Sequence, residues 1–128
     1  MEEFVKGSEK SKISGTLKNS EFLKGDVVVL PFPFSDLSKS KRRPALVVAK
    51  LEGDDVILCQ ITSEARVDSY SIVLSDSDFK TGKLSLTSLI RPNRIFTADK
   101  SIVIYRIGSL KDSKIKGVEK EIVKIFTK

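Results

Sequence analysis

Short runs of β-branched and apolar residues, separated by turn signals, dominate the middle of this 128-residue chain. The runs Val27–Leu30, Ala45–Ala49 and Val56–Ile61 each have the length of one strand, and β-branched residues favour strands. Glycine and aspartate mark turns at Gly25–Asp26 and Glu52–Asp55. The pattern therefore predicts a mainly β fold.

Weaker signals extend this pattern toward the C-terminus. Pro31 and Pro33 lack a backbone N–H, so we expect the chain there to lie at an edge of the sheet or to leave it. A polar connection follows at 34–41, and a turn is predicted at Phe79–Gly82. Four further segments are predicted strands: Tyr70–Leu74, Ser85–Ile90, Asn93–Phe96 and Ser101–Ile107.

The last segment changes from a strand period to a helical one. Its apolar residues recur at helical spacing between Lys and Glu, which predicts an amphipathic helix that covers the sheet. Asp112 or Ser113 is the predicted N-cap. The apolar positions are Ile115, Val118, Ile122, Ile125 and Phe126. Six or seven short strands with one terminal helix favour a small, curled antiparallel sheet of the α+β type.

Length and composition bound the organisation of the chain. Residues 1–20 are polar and lack a period, which indicates a flexible arm, and 21–128 form one domain. The N-terminus has no signal-peptide pattern, and no apolar run approaches the roughly 20 residues that span a bilayer. Cys59 is the only cysteine, so we interpret it as a small, buried hydrophobic residue of a protein in a reducing compartment. We expect a cytoplasmic protein without a membrane association.

The charge pattern favours polyanionic partners. The net charge is +6, and Lys39, Lys41, Arg42 and Arg43 fall within five residues of a predicted loop. A solvated loop that keeps the protein soluble explains the same cluster. Histidine is absent, which excludes His-based acid–base and triad chemistry and, with one cysteine, argues against a zinc site. We expect no cofactor and no metal.

Four segments together resemble the MazF/PemK toxins of type II toxin–antitoxin systems. They are KGDVVVLPF at 24–32, RRPALVV at 42–48, QITS at 60–63 and RIFTADK at 94–100. The resemblance extends from about residue 21 to residue 126. It implies an SH3-like barrel with a C-terminal helix, a homodimer, and sequence-selective cleavage of single-stranded RNA. In this family cleavage leaves a 2′,3′-cyclic phosphate and a 5′-hydroxyl and needs no metal.

By position, the resemblance assigns two catalytic residues. Arg43 matches the family's arginine before proline, and Thr62 matches its active-site threonine. A guanidinium suits charge stabilisation on phosphate oxygens, and a hydroxyl can donate to a non-bridging oxygen or orient the 2′-hydroxyl. Each residue also has an interpretation without a catalytic role. Arg43 can be a solvated residue at a strand start, and Thr62 an ordinary residue at a strand end.

Other polar residues near these two are candidate RNA contacts. Arg91 and Arg94 are candidates for charge stabilisation; the full set of candidate RNA contacts is Lys41, Arg42, Gln60, Ser63, Arg91 and Arg94. Phe32 and Phe34 either stack on bases or belong to the core or a dimer interface. The family's acidic residue before the later basic segment has no counterpart at 88–94, so the proton-transfer group is open between Glu64 and Asp68.

Two other functions fit the same features. One is a non-catalytic toxin on the same barrel that poisons DNA gyrase, and the other is an SH3-like nucleic-acid-binding module. A toxin implies a cognate antitoxin whose acidic, partly disordered tail occupies the basic groove. Contact with DNA is expected only indirectly, through that antitoxin.

Overall fold

A computed structural model describes residues 21–32, 41–64 and 68–128 of the chain. Its seven strands form one antiparallel sheet in the order β4-β6-β3-β2-β1-β7-β5. The strands are β1 (Asp26–Phe32), β2 (Lys41–Lys50), β3 (Asp55–Thr62), β4 (Ile72–Leu74), β5 (Phe79–Thr81), β6 (Ser88–Asp99) and β7 (Tyr105–Leu110). A long helix, α1 (Asp112–Thr127), follows β7. The predicted fold class, a small curled antiparallel sheet with a C-terminal helix, is confirmed.

Each face of this sheet carries its own apolar cluster, because side chains alternate along a strand. On the face that we call the helix face, the cluster includes Val27, Leu46, Cys59, Ile61 and Ile90. Val118 of α1 is buried in that cluster, and Ile115 and Ile122 pack against it. The helix therefore closes this face, as predicted, but Phe126 does not take part because its side chain is 74% exposed.

The opposite face also buries an apolar cluster, which includes Val28, Leu30, Ala45, Val47 and Leu58. No residue of α1 belongs to this second cluster. We call this side the arginine face because the strand alternation places Arg43 on it, in phase with Ala45 and Val47. The two clusters share strands β1, β2 and β3, so the sheet forms the wall between them.

Several element bounds differ from the sequence predictions. Lys41–Arg43 belong to β2 and not to a loop, because they pair with Pro31–Phe32 and Leu30 of β1. Ser85–Ile90 and Asn93–Phe96 were predicted as two strands, but Ser88–Asp99 is one continuous strand. The predicted strand at Ser101–Ile107 begins only at Tyr105, after a short 3₁₀ turn at Lys100–Ile102.

Smaller corrections concern the ends of elements. The predicted strand from Tyr70 begins at Ile72, because the Asp68 side chain accepts the backbone N–H groups of Tyr70 and Ser71 and forms a turn there. The predicted turn at Phe79–Gly82 contains the short strand β5, which pairs with β7. Neither Asp112 nor Ser113 is the helix N-cap. That position is Lys111, which makes no side-chain capping bond.

The turn glycines and Pro31 lie where the sequence predicted them. Gly25, Gly53 and Gly82 have positive φ values of 99°, 78° and 78°, which L side chains rarely adopt. Pro31 lies beyond Val29, the last residue of β1 that pairs with β7, so β1 is leaving one neighbour at that point. The predicted arm at 1–20 lies outside the described residues, as do Pro33, Phe34 and Lys39.

Candidate RNA-cleavage site

Adjacent strands bring Arg43 and Thr62 to the same end of the arginine face. In the β2–β3 pairing Ala45 lies opposite Gln60, and two residues further along each strand this register leads to Arg43 and Thr62. Residues two apart on a strand share a face, so both side chains lie on the side of Ala45. Arg43 is half-buried and pairs across β2–β1 with Leu30.

Thr62 is held at the end of β3. Its side chain is buried, and its Oγ1 accepts a hydrogen bond of 3.1 Å from the backbone N–H of Glu64. This bond fixes the position of the hydroxyl oxygen and leaves the hydroxyl proton able to donate. Ser63, the next residue, is exposed just beyond the strand.

Strand β6 adds a second arginine to this end of the face. Gln60 lies opposite Arg91, and Thr62 lies opposite Leu89. The register then shifts, because Cys59 pairs with Ile95 and leaves Pro92, Asn93 and Arg94 without partners on β3. Pro92 is buried in this bulge, where a missing backbone donor does no harm, and Arg94 is exposed.

Neighbouring residues of β2 are divided between the two faces. Lys41 lies opposite Phe32 on the arginine face, as Arg43 does opposite Leu30. Arg42, between them, belongs to the other side of the strand, near Tyr105 of β7. Burial raises the pKa of the Tyr105 phenol, and the positive charge of Arg42 opposes that rise. The structure therefore places Lys41, Gln60 and Arg91 with Arg43 and Thr62, and places Arg42 apart from them.

The two candidate proton acceptors differ in their surroundings. Asp68 accepts a hydrogen bond of 3.0 Å from Nη2 of Arg91, and this contact does most to hold the pKa of its carboxyl well below the ordinary value. Such a carboxylate is a weak base at neutral pH. Glu64 is exposed, and among the described residues no group pairs with its carboxylate.

The remaining candidates are accounted for by packing. Phe32 is buried and packs edge to face against Phe96, with ring centroids 4.9 Å apart. Of the predicted alternatives for Phe32, a place in the core is the one that the structure supports. Cys59 is fully buried, and burial raises the pKa of its thiol to about 12, which leaves it unreactive. Within the described part of the chain no three Cys, Asp or Glu side chains are grouped to hold a metal ion.

Two partners of the site could not be found from the sequence. Asp68 was a candidate only for proton transfer, yet it contacts Arg91 across 23 positions and Asn93 across 25. Asn93 was not a candidate at all. No local pattern signals either contact, because the turn at Asp68 and the β6 bulge meet only in the folded sheet.

The chain matches the family described as PemK-like, MazF-like toxin of type II toxin–antitoxin system over residues 23–126. It therefore belongs to that family, as its motifs predicted. Comparison with curated protein sequences gave no match. No helix among residues 21–32, 41–64 and 68–128 is both long and apolar enough to cross a membrane.

Solved structures show the same fold at low sequence identity. An endoribonuclease in complex with its cognate antitoxin, from a mycobacterial species, has a TM-score of 0.65 and 18% identity, covering 83% of this chain and 95% of that one. The MazE–MazF structure from Deinococcus radiodurans has a TM-score of 0.65 and 16% identity, with coverages of 84% and 96%. The Mycobacterium tuberculosis toxin MazF-mt6 has a TM-score of 0.60 and 17% identity, with coverages of 79% and 95%.

Proposed function

We propose that this chain is an endoribonuclease toxin that cuts single-stranded RNA at selected sequences without a metal ion. The observation that carries the proposal is the placement of Arg43 and Thr62 at the same end of one sheet face. Family membership and a fold shared with solved proteins named endoribonucleases support it. Neither Lys41 nor Arg43 is paired with a carboxylate among the described residues, so both are available to phosphates.

The reaction in this proposal is an internal transfer at phosphorus. The ribose 2′-oxygen forms a bond to phosphorus, and the bond from phosphorus to the 5′-oxygen breaks. The 2′-hydroxyl proton passes to a base, and the departing 5′-oxygen gains a proton, which yields a 2′,3′-cyclic phosphate and a 5′-hydroxyl. Arg43 stabilises the negative charge that develops on the non-bridging oxygens. Thr62 donates its hydroxyl to one of these oxygens or orients the 2′-hydroxyl.

Glu64 is our candidate for the base. Its backbone is tied to the Thr62 side chain by the 3.1 Å hydrogen bond, and its carboxylate has no partner within the described residues. Asp68 is a poorer candidate because its carboxylate is already bonded to Arg91, Asn93 and the turn at Tyr70–Ser71. Arg43 is unsuited to this role because a guanidinium stays protonated at any working pH.

The deciding experiment is end mapping of a long, unstructured RNA incubated with the purified chain in EDTA. We expect discrete cuts that end in cyclic phosphate. Arg43→Ala should lose about 10²- to 10³-fold in cleavage rate, the range for a lost transition-state donor. Thr62→Ala should lose activity and Thr62→Ser should keep part of it. Lys80→Ala, which removes an exposed cation from the edge strand β5, is the matched control.

Intact RNA with the wild-type chain would contradict the proposal. So would cutting that survives both alanine substitutions. Gyrase inhibition without RNA cleavage would then favour a non-catalytic toxin, and RNA binding without products would favour a binding module.

The partners in this proposal are a cognate antitoxin and a second copy of the chain, in the cytoplasm. Two solved structures of the same fold contain a toxin with its antitoxin. Lys41 and Arg43, which have no carboxylate partner among the described residues, offer an acidic antitoxin segment the same contacts as RNA phosphates. Expression of this chain alone should arrest bacterial growth, and co-expression of the adjacent reading frame should restore it. Light scattering should give a mass near twice 14.2 kDa.

A further inference from the structure

One carboxylate ties the turn after β3 to the bulge in β6. Oδ1 of Asp68 accepts the backbone N–H groups of Tyr70 and Ser71, both at 3.0 Å, and the Ser71 hydroxyl at 2.9 Å. Oδ2 accepts Nη2 of Arg91 at 3.0 Å and Nδ2 of Asn93 at 3.3 Å. Asp68 therefore holds Arg91 from a turn that is itself fixed by the same side chain.

The strand pairing holds the backbone of Arg91 as well. Arg91 is the last residue paired with β3 before the bulge, and buried Pro92 follows it. Its partner across the ladder is Gln60, two pairs away from Thr62–Leu89 and therefore on the same face. Directly opposite side chains in an antiparallel pair lie about 5 Å apart at Cβ. Arg91 is thus held beside Gln60 on the face that carries Arg43 and Thr62.

This end of the arginine face carries two electrostatically different kinds of cation. Arg91 faces the carboxylate of Asp68 at 3.0 Å, so its charge is largely compensated. Lys41 and Arg43 have no such partner among the described residues. A cation without a nearby carboxylate is attracted strongly to a phosphate. A guanidinium paired with a carboxylate keeps its directed N–H donors, but its net attraction to a phosphate is weaker. Beyond the contact with Asp68, the Arg91 side chain makes no other hydrogen bond within the described chain, so further guanidinium N–H donors remain for a ligand.

We propose that Arg91, oriented by Asp68, reads the edge of one nucleobase, and that Lys41 and Arg43 contact the phosphates around it. The planar fork of a guanidinium matches two adjacent acceptors, and guanine presents such a pair in O6 and N7. Gln60 lies beside Arg91 and offers a further donor and acceptor to the same base. Asp68 is a positioning residue in this assignment and touches no substrate. The inference rests on the proposed RNA-cleaving function and adds the base class at one position.

The test separates base reading from phosphate binding and does not require cutting. A random single-stranded library with 2′-fluoro ribose lacks the attacking hydroxyl, so it reports binding alone. Bound sequences are counted, and dissociation constants are measured against salt concentration. With the wild-type chain we expect enrichment of guanine at one position. Arg91→Lys should reduce that enrichment by about tenfold or more, since a lysine is a point charge without the fork.

Asp68→Asn gives the sharpest prediction because base selectivity should fall while overall affinity rises. The amide keeps an acceptor for the turn at Tyr70–Ser71 but no longer compensates Arg91. We expect guanine enrichment to fall about tenfold while affinity for all sequences rises at low salt. The slope of log affinity against log salt should steepen by up to about 1, because one more phosphate is neutralised. A merely structural loss would lower affinity and would not steepen this slope.

Two variants calibrate the measurement. Lys41→Ala should weaken binding to all sequences and make the salt slope shallower by about 1, with guanine enrichment kept. Asp76→Asn removes the same charge from an exposed position in the 3₁₀ turn before β5 and should change neither readout. Thermal unfolding of each variant shows that the fold is intact.

Three outcomes would overturn the inference. The first is a wild-type chain that enriches no base at any position, even if it cuts RNA. The second is an Arg91→Lys variant that keeps the wild-type base preference. The third is an Asp68→Asn variant with a lower affinity and an unchanged slope. Base enrichment by a wild-type chain that cuts no natural RNA would support the inference while contradicting the proposed function.

Discussion

The helix face and the arginine face are built by the same strands, but only the arginine face carries Arg43 and Thr62 at the strand ends. On β3, Cys59 and Ile61 belong to the cluster under α1, and their neighbours Gln60 and Thr62 lie on the arginine face. The helix face buries an apolar cluster that is covered by Ile115, Val118 and Ile122. Along β2, the arginine face is apolar at Val47 and Ala45 and then carries Arg43 and Lys41.

This difference shows how a chain of only 128 residues accommodates a polar site without losing its core. Because successive side chains of a strand point to opposite sides, one strand can supply core residues to one face and reactive residues to the other. Arg43 and Thr62 lie at the ends of β2 and β3 on the arginine face, and neither belongs to the apolar cluster of that face. Substitutions of adjacent residues should therefore have separate effects on stability and on cleavage.

The largest expected effect on stability is on the helix face. Ile61→Ala removes a fully buried side chain and should lower the free energy of unfolding by about 2–5 kcal/mol. Gln60→Ala, one residue earlier and half-buried, should lower it by less than about 1 kcal/mol. Urea unfolding measures both losses, and an unchanged m-value shows that the difference is one of stability. Similar losses for the two variants would show that the faces are not energetically distinct.

The largest expected effect on activity concerns Arg42 and Arg43, which are neighbours on opposite faces. Arg43→Ala should slow RNA cleavage by about 10²- to 10³-fold. Arg42→Ala should slow it by less than about tenfold, the size of one lost exposed charge contact. The comparison uses initial rates on one RNA that contains a mapped cleavage site. Equal losses would mean that RNA contacts both faces at this end of β2.

The smallest effect concerns ion pairs at the other end of β2, away from the site. Glu21 contacts Lys50 at 2.6 Å and Lys100 at 3.0 Å, and hydrogen bonds from these two lysines lower its pKa from 4.5 to about 2. A lowered pKa contributes stability above the unfolded-state value, and that contribution is lost as pH falls through the folded-state value.

Glu21→Gln should therefore flatten the dependence of unfolding free energy on pH between 4.5 and about 2. Glu52→Gln, an exposed acid in the turn between β2 and β3, should follow the wild-type curve. Urea unfolding at a series of pH values gives the comparison. A Glu21 variant with the wild-type pH dependence would show that the exposed pairs contribute nothing measurable.

The sequence by itself determined the local elements of this protein and its family. β-branched runs fixed where β1, β2 and β3 lie, since they favour extended backbone whatever surrounds them. Gly25, Gly53 and Gly82 marked turns because their conformations are strained for other residues. The helical spacing from Ile115 to Ile122 predicted the surface that covers the sheet. The motifs around Arg43 and Thr62 were recognisable as short local strings.

Only the tertiary structure decided which side chains act together. The opposite faces of Arg42 and Arg43 depend on the strand extending to Lys41, where the sequence suggested a loop. The bulge at Pro92–Arg94 depends on a register shift that local propensity does not encode. The contact between Asp68 and Arg91 joins residues 23 positions apart, so it exists only once β3, β4 and β6 have paired. Such contacts are set by the pairing of whole strands, and a single sequence carries no local signal for them.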